Sequence, residues 1–574
     1  MTREPVSQRD ADRLRSDRFW TRHYRPGVPA TIDDQLDAAG SMADMFERDA
    51  TRYADREGFV SLGTGRTYGE VLRDARAFAG WLQAIGIAKG DRVALMMPNC
   101  LQYPVALFGT LFAGAVVVNV NPLYTARELA HQLKDSGARV LVVMDLFAAT
   151  FAAIRDETAV EHAVVTGMGD MLGALKGRAL ALTMRLAGQA PPRFSEKGMV
   201  RWRRMMARAR RLPYRRVAIA QSDLAFLQYT GGTSGIAKGA MLTHRNVVAN
   251  VLQGRAWVMS QIDDAEVLTN VTLLPLYHIF SLTANLLMFS GIGGRNVLIA
   301  NPRDTKRVRW ILRNERFAGF AGVNTLFASL LQDEAFRSRD FSALKLTIAG
   351  GMATHADVAA QWEAMTGKPL VEGYGLTECS PVVCIRPVDF DAPEVMGHNG
   401  AVGLPVPSTE VRMRRDDGSW AAIGEPGELC VRGPQVMAGY WRQPEETARI
   451  LSPDGWLATG DVGVMDADGE VRIVDRIKDM ILVSGFNVYP AEIEAVIAAH
   501  PHVAEVAVVG VADPVKGERI RAVIHPAHPA LTPDAVRAWC RERLTGYKIP
   551  AIVELRDTPL PKSNVGKILR REVR

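Results

Sequence analysis

Short apolar segments alternate with helix-like segments in the first half of the chain, and this alternation constrains the fold more than any other feature. Strand-like runs occupy residues 92–97, 116–120 and 140–144, and helix-like runs separate them. Continuous apolar runs are typical of parallel strands that are buried on both faces. The βαβα order therefore predicts an α/β fold with a large N-terminal domain of doubly wound sheets.

Two helix starts in this region carry a capping box. Thr67 precedes Glu70 by three residues, and Thr125 precedes Glu128 by the same spacing. In such a box each of the two side chains accepts a hydrogen bond from a backbone N–H at the helix start. We therefore expect helices to begin directly after Thr67 and Thr125.

Changes in this rhythm indicate the domain organisation. Residues 168–220 are rich in basic residues and prolines and interrupt the alternation, so they are interpreted as an insertion or excursion from the βαβα pattern. The alternation resumes at Leu224. Short strands separated by Gly, Pro and Asp predict a small β-rich subdomain at about 400–475. We expect an N-terminal domain of residues 1–477 and a mobile α+β C-terminal domain of residues 478–574.

Basic residues are concentrated in one window. The chain has 69 Lys and Arg against 63 Asp and Glu, but residues 176–216 hold thirteen basic residues and one acidic residue, so this window carries +12 and the remainder −6. A uniformly basic nucleic-acid binder is thereby excluded. Trp202, Met205, Met206 and Leu212 stand among the arginines, which favours peripheral contact with anionic lipid over base stacking. A solvated, partly disordered loop is the alternative.

Other features indicate the compartment. The uncharged stretches 93–126 and 267–294 are interrupted by prolines and asparagines, so buried strands and helices are a better interpretation than membrane spans. The first twenty residues are too charged for a signal peptide, and five scattered cysteines form no C-x-x-C pair. We expect a cytoplasmic protein with reduced thiols.

The strongest local motif is a candidate phosphate-binding loop at 229–240, YTGGTSGIAKGA. Its glycines and hydroxyls allow backbone N–H and side-chain O–H groups to surround an anion, and its lysine adds a positive charge. The spacing matches neither a Walker A loop nor G-x-G-x-x-G, so a flexible surface loop is the alternative. The candidate residues are Thr230, Gly231, Gly232, Thr233, Ser234, Gly235 and Lys238.

A second cluster, EGYGLTE at 372–378, carries groups suited to a nucleotide and a metal ion. Tyr374 offers an aromatic face for a base beside Gly375, and Thr377 and Glu378 offer hard oxygens suited to Mg²⁺. Alone, the cluster is also compatible with a strand-to-loop turn around a buried tyrosine.

Two further motifs follow towards the C-terminus. Asp461 lies in a glycine-bounded turn where its carboxylate can accept hydrogen bonds from ribose hydroxyls, and Arg476 can assist it; an Asx turn is the alternative. The run 559–571, PLPKSNVGKILRR, contains Lys567 and in isolation is a basic tail.

The order of these motifs resembles that of the adenylate-forming superfamily, which contains acyl-CoA synthetases, carrier-protein adenylation domains and firefly-type luciferases. The resemblance extends from about Ser41 to Arg574 and includes LPLYHIF at 274–280, GELCVRG at 427–433 and SGFNVYPAEIE at 484–494. Within the superfamily the motifs are most similar to those of bacterial long-chain fatty-acid–CoA ligases.

The resemblance implies a reaction in two halves. ATP converts a fatty acid to acyl-AMP and pyrophosphate, and the thiol of CoA then displaces AMP. It implies that residues 230–238 hold the β- and γ-phosphates, that Thr377 and Glu378 contact the α-phosphate and Mg²⁺, and that Asp461 and Arg476 bind ribose. The adenine pocket implied by the resemblance consists of Tyr374, Gly350, Gly351, Glu372 and Gly375.

The remaining implied roles concern the reacting groups. Lys567 would bridge the α-phosphate and the attacking carboxylate, and with Thr230 and Glu378 it completes the expected catalytic set. His278 and Phe280 would lie near the acyl pocket, although a satisfied core histidine is the alternative for His278. Lys478 falls at the position of the hinge between domains, and Gly485 at the pantetheine tunnel.

Several alternatives stay open on sequence grounds. A stand-alone fatty acyl-AMP ligase would stop at the adenylate, and a medium-chain or aryl acid–CoA ligase would take another acid. A carrier-protein adenylation module is less well matched, because the chain ends seven residues after Lys567. A membrane-binding factor that uses the basic window is the alternative from another class. The expected partners are fatty acid, ATP and CoA, and binding of nucleic acid is not expected. Two further hypotheses stay open: that the protein forms a homodimer, and that residues 176–216 contact the inner face of the cell membrane.

Overall fold

The computed structural model describes residues 18–194, 197–230, 237–258, 261–262, 266–390, 392, 396–483, 486–513, 517–563 and 566–573. In chain order, the helices and short helical segments of the described residues are Phe19–His23, Asp33–Ala39, Met42–Arg52, Tyr68–Ala84, Gln102–Phe112, Ala126–Ser136, Asp145–Phe147, Ala148–Ala152, Arg155–Glu157, Ala174–Leu186, Trp202–Ala209, His244–Val258, Ile279–Ser281, Leu282–Leu287, Met288–Ser290, Thr305–Asn314, Asn324–Leu331, Glu334–Arg337, Ala356–Thr366, Thr377–Cys379, Pro444–Ile450, Ile477–Asp479, Pro490–Ala498, Pro533–Arg541, Gly546–Lys548 and Arg570–Glu572.

The predicted strands at 92–97, 116–120 and 140–144 form the centre of one mostly parallel sheet. Its central strands are fully buried, and Val140–Met144 is buried at every position, as expected for a sheet covered by helices on both faces. The last pair is an antiparallel hairpin that carries the candidate phosphate loop. In sheet order the described strands are Met199–Arg201, His162–Thr166, Val140–Met144, Arg92–Met96, Val116–Asn119, Leu224–Thr230 and Lys238–Thr243.

A second mixed sheet carries the adenine-pocket candidates. Its central strands are parallel, and three of the connecting helices, Thr305–Asn314, Asn324–Leu331 and Ala356–Thr366, pack around a core that includes Phe320, Phe327 and Trp362. In sheet order the described strands are Leu404–Pro405, Val382–Ile385, Leu370–Gly375, Leu346–Ala349, Gly319–Gly322, Thr269–Thr272, Arg295–Leu298, Glu57–Ser61 and Thr64–Thr67. Together the two sheets confirm the predicted α/β class.

Two smaller sheets complete the fold. The predicted β-rich region contains the antiparallel order Glu410–Arg414, Gly427–Arg432, Leu457–Met465, Val471–Arg476. After residue 480, Phe486–Val488, Ile481–Val483, Gly517–Pro526 and Val503–Asp513 form another sheet, with Ile552–Leu555 paired to Gly517–Pro526. The helices Pro490–Ala498 and Pro533–Arg541 supply Ile493, Ile497, Val536 and Cys540 to a separate α+β core.

Both predicted capping boxes are confirmed. The Thr67 hydroxyl accepts from the Glu70 backbone N–H at 3.1 Å, and the Thr67 N–H donates to the Glu70 carboxylate at 3.0 Å. The pair Thr125 and Glu128 makes the same two contacts. The helices Tyr68–Ala84 and Ala126–Ser136 therefore begin where local chemistry predicts.

The basic window differs from its sequence-based interpretation. Met199–Arg201 extends the first sheet by pairing in parallel with His162–Thr166, and the helix that follows packs on Tyr68–Ala84. The prediction that Trp202, Met205 and Met206 face lipid is wrong, because all three are buried in the core.

The two uncharged stretches form strands and buried helices, as predicted. Within the described ranges, every helix is too short or too polar to cross a membrane.

Candidate active site

The candidate phosphate loop connects two antiparallel strands whose register brings its ends together. Thr230 and Lys238 are paired directly across the hairpin. Five predicted phosphate contacts lie outside the described residues, so their roles remain predictions: Gly231, Gly232, Thr233, Ser234 and Gly235.

Lys238 and Glu378 are brought to one place by a tyrosine that sequence reasoning missed. The Tyr440 hydroxyl donates to Glu378 Oε1 at 2.6 Å, and Lys238 Nζ lies 5.3 Å from the centre of the Tyr440 ring. Lys238 also forms a close ion pair with Glu446, from the helix Pro444–Ile450. A cation for phosphates and a carboxylate for a metal ion therefore face the same region.

Glu378 fits the role of a magnesium ligand that works with a nucleotide. It follows the strand Leu370–Gly375 in a short 3₁₀ turn that begins at Thr377. Among the described residues, no three His, Cys, Asp or Glu side chains are grouped to hold a metal ion. Magnesium is commonly held by one or two carboxylates together with substrate phosphates, and this donor set matches that pattern.

Tyr374, Asp461 and Arg476 form a connected group. Asp461 and Arg476 are directly opposite each other in an antiparallel ladder, and Arg476 Nε lies 3.0 Å from Asp461 Oδ1. The Tyr374 hydroxyl donates to Asp461 Oδ2 at 2.6 Å. Burial, and then the Asp461 charge, raise the pKa of Tyr374 far above its ordinary value, so the hydroxyl stays a donor at neutral pH.

The glycines of the predicted adenine pocket lie at the ends of neighbouring parallel strands. Gly350 follows Leu346–Ala349, whose Ala349 pairs with Glu372. A Cβ at Gly350 would lie 3.0 Å from the Phe280 ring, and a Cβ at Gly375 would collide with the Pro381 carbonyl. Side chains are therefore excluded where a flat base would need close approach to the backbone.

Glu372 has a partner that the motifs did not indicate. Its Oε2 lies 2.6 Å from His398 Nδ1, and both side chains are largely buried. The hydrogen bond to Glu372 is the main cause of the raised pKa of His398. Gly351, at the next position after Gly350, has φ +76°, which favours glycine.

His278 and Phe280 border an apolar region. Phe280 packs on a buried cluster that includes Leu274, Ala321 and Val323. Burial lowers the pKa of His278 to about 4, so its imidazole is neutral at pH 7. The following segment, Leu282–Leu287, is a buried π-helix, an irregularity that is frequent at functional sites.

Lys567 is brought to this region by the C-terminal domain. A Cβ at Gly566 would lie 2.9 Å from Thr325 Oγ1 and 3.5 Å from Val323 Cγ2, so the chain contacts the rim of the apolar cluster. Burial, and then the charge of Arg476, lower the pKa of Lys567 to about 8, while Asp461 acts in the opposite direction. The backbone beside Lys567 thus lies at the rim of the apolar cluster, and the charges of Asp461 and Arg476 act on the Lys567 amine.

The predicted hinge residue Lys478 lies in the turn Ile477–Asp479, and burial followed by the Arg476 charge lowers its pKa. Beside it Arg570 forms ion pairs with Asp475 at 2.8 Å, Asp479 at 3.2 Å and Glu494 at 2.5 Å. This clamp joins the C-terminal tail to the turn. Gly485, predicted for the pantetheine tunnel, lies outside the described residues.

The chain is similar to known proteins over nearly its whole length. The family model described as AMP-binding enzyme matches residues 46–441, and that of the AMP-binding enzyme C-terminal domain matches residues 492–567. The chain is 51% identical over 559 residues to a long-chain-fatty-acid–CoA ligase of Yersinia pestis, and the aligned region covers 97% of this chain and 98% of that protein. A long-chain-fatty-acid–CoA ligase of Escherichia coli O157:H7 is 50% identical over 558 residues, with the same two coverages. The crystal structure of ATP-bound MatB from Rhodopseudomonas palustris matches with a TM-score of 0.79 at 27% identity, over 93% of this chain and 98% of that chain.

Proposed function

The chain belongs to the AMP-binding enzyme family, and on this premise we propose that it is a fatty-acid–CoA ligase that acts on long-chain acids. In the first half-reaction a carboxylate oxygen attacks the α-phosphorus of ATP, the bond to the β-phosphate oxygen breaks, and pyrophosphate leaves. In the second, the thiol of CoA loses its proton to solvent, its sulfur attacks the acyl carbon, the bond from that carbon to the phosphate oxygen breaks, and AMP leaves. ATP and CoA are co-substrates and Mg²⁺ is the cofactor.

The observation that carries this proposal is the position of Lys567. Its neighbour Gly566 contacts the rim of the apolar cluster, while its own amine is within electrostatic reach of Asp461 and Arg476. A fatty acid in the apolar region and a ribose at Asp461 would place the carboxylate and the α-phosphate between them. A buried cation at this point stabilises the charge that develops as the two groups react.

The remaining side chains have binding roles in this proposal. Tyr374 and the glycines around it accommodate adenine, Asp461 accepts from the ribose hydroxyls, and Lys238 binds the terminal phosphates with Thr230. Glu378, assisted by Thr377, would hold Mg²⁺, which neutralises phosphate charge when it is bound. His278 remains neutral beside the acyl chain and adds no charge to an apolar pocket.

The activity is tested by AMP release with fatty acids of graded chain length. We expect release to require ATP, Mg²⁺ and CoA together, to be fastest with long-chain acids, and to yield acyl-CoA. Acyl-AMP as the final product in the presence of CoA would indicate a stand-alone acyl-AMP ligase instead. A preference for aromatic or medium-chain acids would contradict the long-chain assignment but not the reaction.

The role of Lys567 is tested by separating the half-reactions. Lys567→Ala should reduce adenylation by about 10²–10³-fold, because the developing charge loses its fixed cation. Conversion of supplied acyl-AMP and CoA to acyl-CoA should change far less. Lys562→Ala, on the same C-terminal run, is the matched control and should leave both half-reactions near the parent rates. Equal losses in both half-reactions for Lys567→Ala would contradict the assignment.

Three finer features belong to the same proposal. The protein would act in the cytoplasm, and the exposed part of the window 176–216 would contact the anionic inner face of the membrane from which fatty acids arrive. A homodimer is also proposed, and light scattering at several protein concentrations would test it.

A further inference from the structure

The basic window 176–216 divides into two parts with different environments. In the second part Trp202 stacks on Phe78, with ring centres 5.8 Å apart, and Met205 and Met206 are buried beside it. These apolar groups stabilise the protein core and are not available to a partner.

Charge in the second part is also engaged internally. Arg203 pairs with Asp170 at 2.9 Å, Arg210 with Asp74 at 3.0 Å, and Arg216 with Asp44 and with Glu47. Carboxylates from neighbouring elements therefore neutralise part of the +12 charge. The second part is not the best candidate for an interaction surface.

The first part presents an apolar stripe to solvent. On the helix Ala174–Leu186 the side chains of Leu175, Leu182 and Leu186 are 83%, 59% and 79% exposed. Spacings of seven and four residues place them on one face of an α-helix. Scattered single leucines on a surface are common, but three on one face of one helix form a stripe.

The opposite side of this helix is fixed against the protein. Gly177 is buried, and a Cβ there would lie 2.5 Å from the Gly169 carbonyl oxygen. Lys176 Nζ donates to the Gly63 carbonyl oxygen at 2.9 Å. These close contacts hold the Gly177 side of the helix against the protein. The leucine stripe, on the opposite side, therefore faces solvent.

Positive charge flanks the stripe. Lys176, Arg178 and Arg185 lie on the same helix, and the sequence has no acidic residue between Asp170 and Glu196. A cationic helix with an exposed apolar face is the pattern of a helix that lies in a membrane interface. A second copy of the chain would bring two sets of like charges together, which disfavours self-association through this face.

We infer that the helix Ala174–Leu186 is the membrane-docking element of this protein, with its leucine stripe in the acyl boundary of an anionic bilayer and its arginines at the phosphate level. This inference deepens the proposed function by assigning the membrane contact to one face of one helix, and it rests on that proposal for its biological role. The docking itself requires only the stripe and the charges.

Vesicle flotation tests the inference with the full chain. The parent protein should bind phosphatidylglycerol-containing vesicles better than pure phosphatidylcholine vesicles. The triple variant Leu175→Ser, Leu182→Ser, Leu186→Ser should partition about 100-fold less, because three leucine side chains no longer leave water. The variant Arg178→Glu, Arg185→Glu should lose most of the preference for the anionic lipid.

Two matched variants serve as controls. Leu123→Ser removes an exposed leucine elsewhere and should bind like the parent. Trp310→Ser removes a 62% exposed tryptophan from another basic helix, Thr305–Asn314, which is the rival surface. Loss of binding in Trp310→Ser with parent binding in the triple variant would overturn the inference, as would absence of binding to both kinds of vesicle.

A fluorescent label gives a second measurement. All five cysteines are buried, so Leu182→Cys introduces an accessible thiol for an environment-sensitive probe. Its emission should shift to shorter wavelength on anionic vesicles, and an unshifted spectrum would contradict insertion.

AMP release from a long-chain fatty acid supplied on albumin, without vesicles, separates this inference from the proposed function. The triple variant should retain parent activity in that assay. An inactive parent that still binds vesicles would defeat the proposed reaction and leave the docking element supported.

Discussion

At the scale of single residues, the amine of Lys567 is the most informative group. Its pKa is lowered to about 8 from the ordinary 10.5, first by burial and then by the nearby charge of Arg476. The free enzyme therefore loses this cation at a lower pH than an exposed lysine would. An anionic nucleotide at Asp461 and Arg476 would favour the charged form again.

This lowered pKa predicts the pH dependence of adenylation. A lysine is charged below its pKa, so kcat/KM for pyrophosphate release without CoA should be highest below pH 8 and fall as pH rises through about 8. Lys567→Arg should be slower but should lack this decline, because a guanidinium stays charged throughout the range. If the rate for Lys567→Arg declined with the same midpoint, the decline would have to come from the titration of another group.

Residues within motifs could be predicted, whereas their partners across space could not. Tyr374, Asp461 and Lys567 stand in characteristic local contexts that name their chemistry. Tyr440 and His398 contact Glu378 and Glu372, which lie 62 and 26 positions away, and no local pattern indicates such contacts. Tyr440 stands beside a glycine and a tryptophan, which is a weak signal at most.

At the scale of elements, the turn beside the predicted hinge is held by one arginine. Arg570 is largely buried and meets three carboxylates, and its pKa is raised well above the ordinary value by hydrogen bonds and charges of Glu494 and Asp475 that outweigh burial. Removing this cation leaves carboxylates that repel each other at close range. The element that carries Lys567 would lose its main attachment to the turn.

Replacement of this arginine should loosen the C-terminal tail. Arg570→Ala is expected to cost about 3 kcal/mol of local stability, since one member of a buried charge cluster is removed. Hydrogen exchange of the tail amides should become about 100-fold faster. Arg571→Ala is the matched control, because Arg571 is 64% exposed and should show no acceleration. Equal exchange rates in the two variants would contradict the clamp.

The elements themselves were predictable to different degrees. The helices that start after Thr67 and Thr125 were predicted because capping is decided within four residues. The strand Met199–Arg201 was not, because three residues in a basic run have no period, and pairing with His162–Thr166 alone makes them a strand. The π-helix Leu282–Leu287 has the composition of an ordinary buried helix.

At the scale of the whole molecule, the two domains meet at a close contact. Gly566 has φ +84° and leaves no room for a Cβ beside Thr325. This glycine is required both by its backbone conformation and by the approach of the C-terminal loop. The sequence predicts the order of the units through its motifs, but it does not predict this orientation, which depends on contacts between distant segments.

A substitution at this contact should affect one half-reaction. Gly566→Ala is expected to reduce adenylation at least tenfold, because the strained backbone and the clash with Thr325 displace Lys567. The thioester-forming step from supplied acyl-AMP should stay within about threefold of the parent, since the proposed role of Lys567 is confined to adenylation. Gly546→Ala, where a Cβ would meet nothing within 4 Å, is the control. Parent rates of adenylation in Gly566→Ala would show that the contact is not required.

The ion pair between Lys238 and Glu446 has a consequence for turnover. In the proposed phosphate site, Glu446 acts as an internal counterion that the nucleotide must displace on arrival and that returns when pyrophosphate departs. Nucleotide loading is then an ion exchange within the protein, so the site does not leave a desolvated cation uncompensated between steps. Competition between Glu446 and the phosphates for Lys238 lowers the affinity for ATP, and it also weakens product inhibition by pyrophosphate.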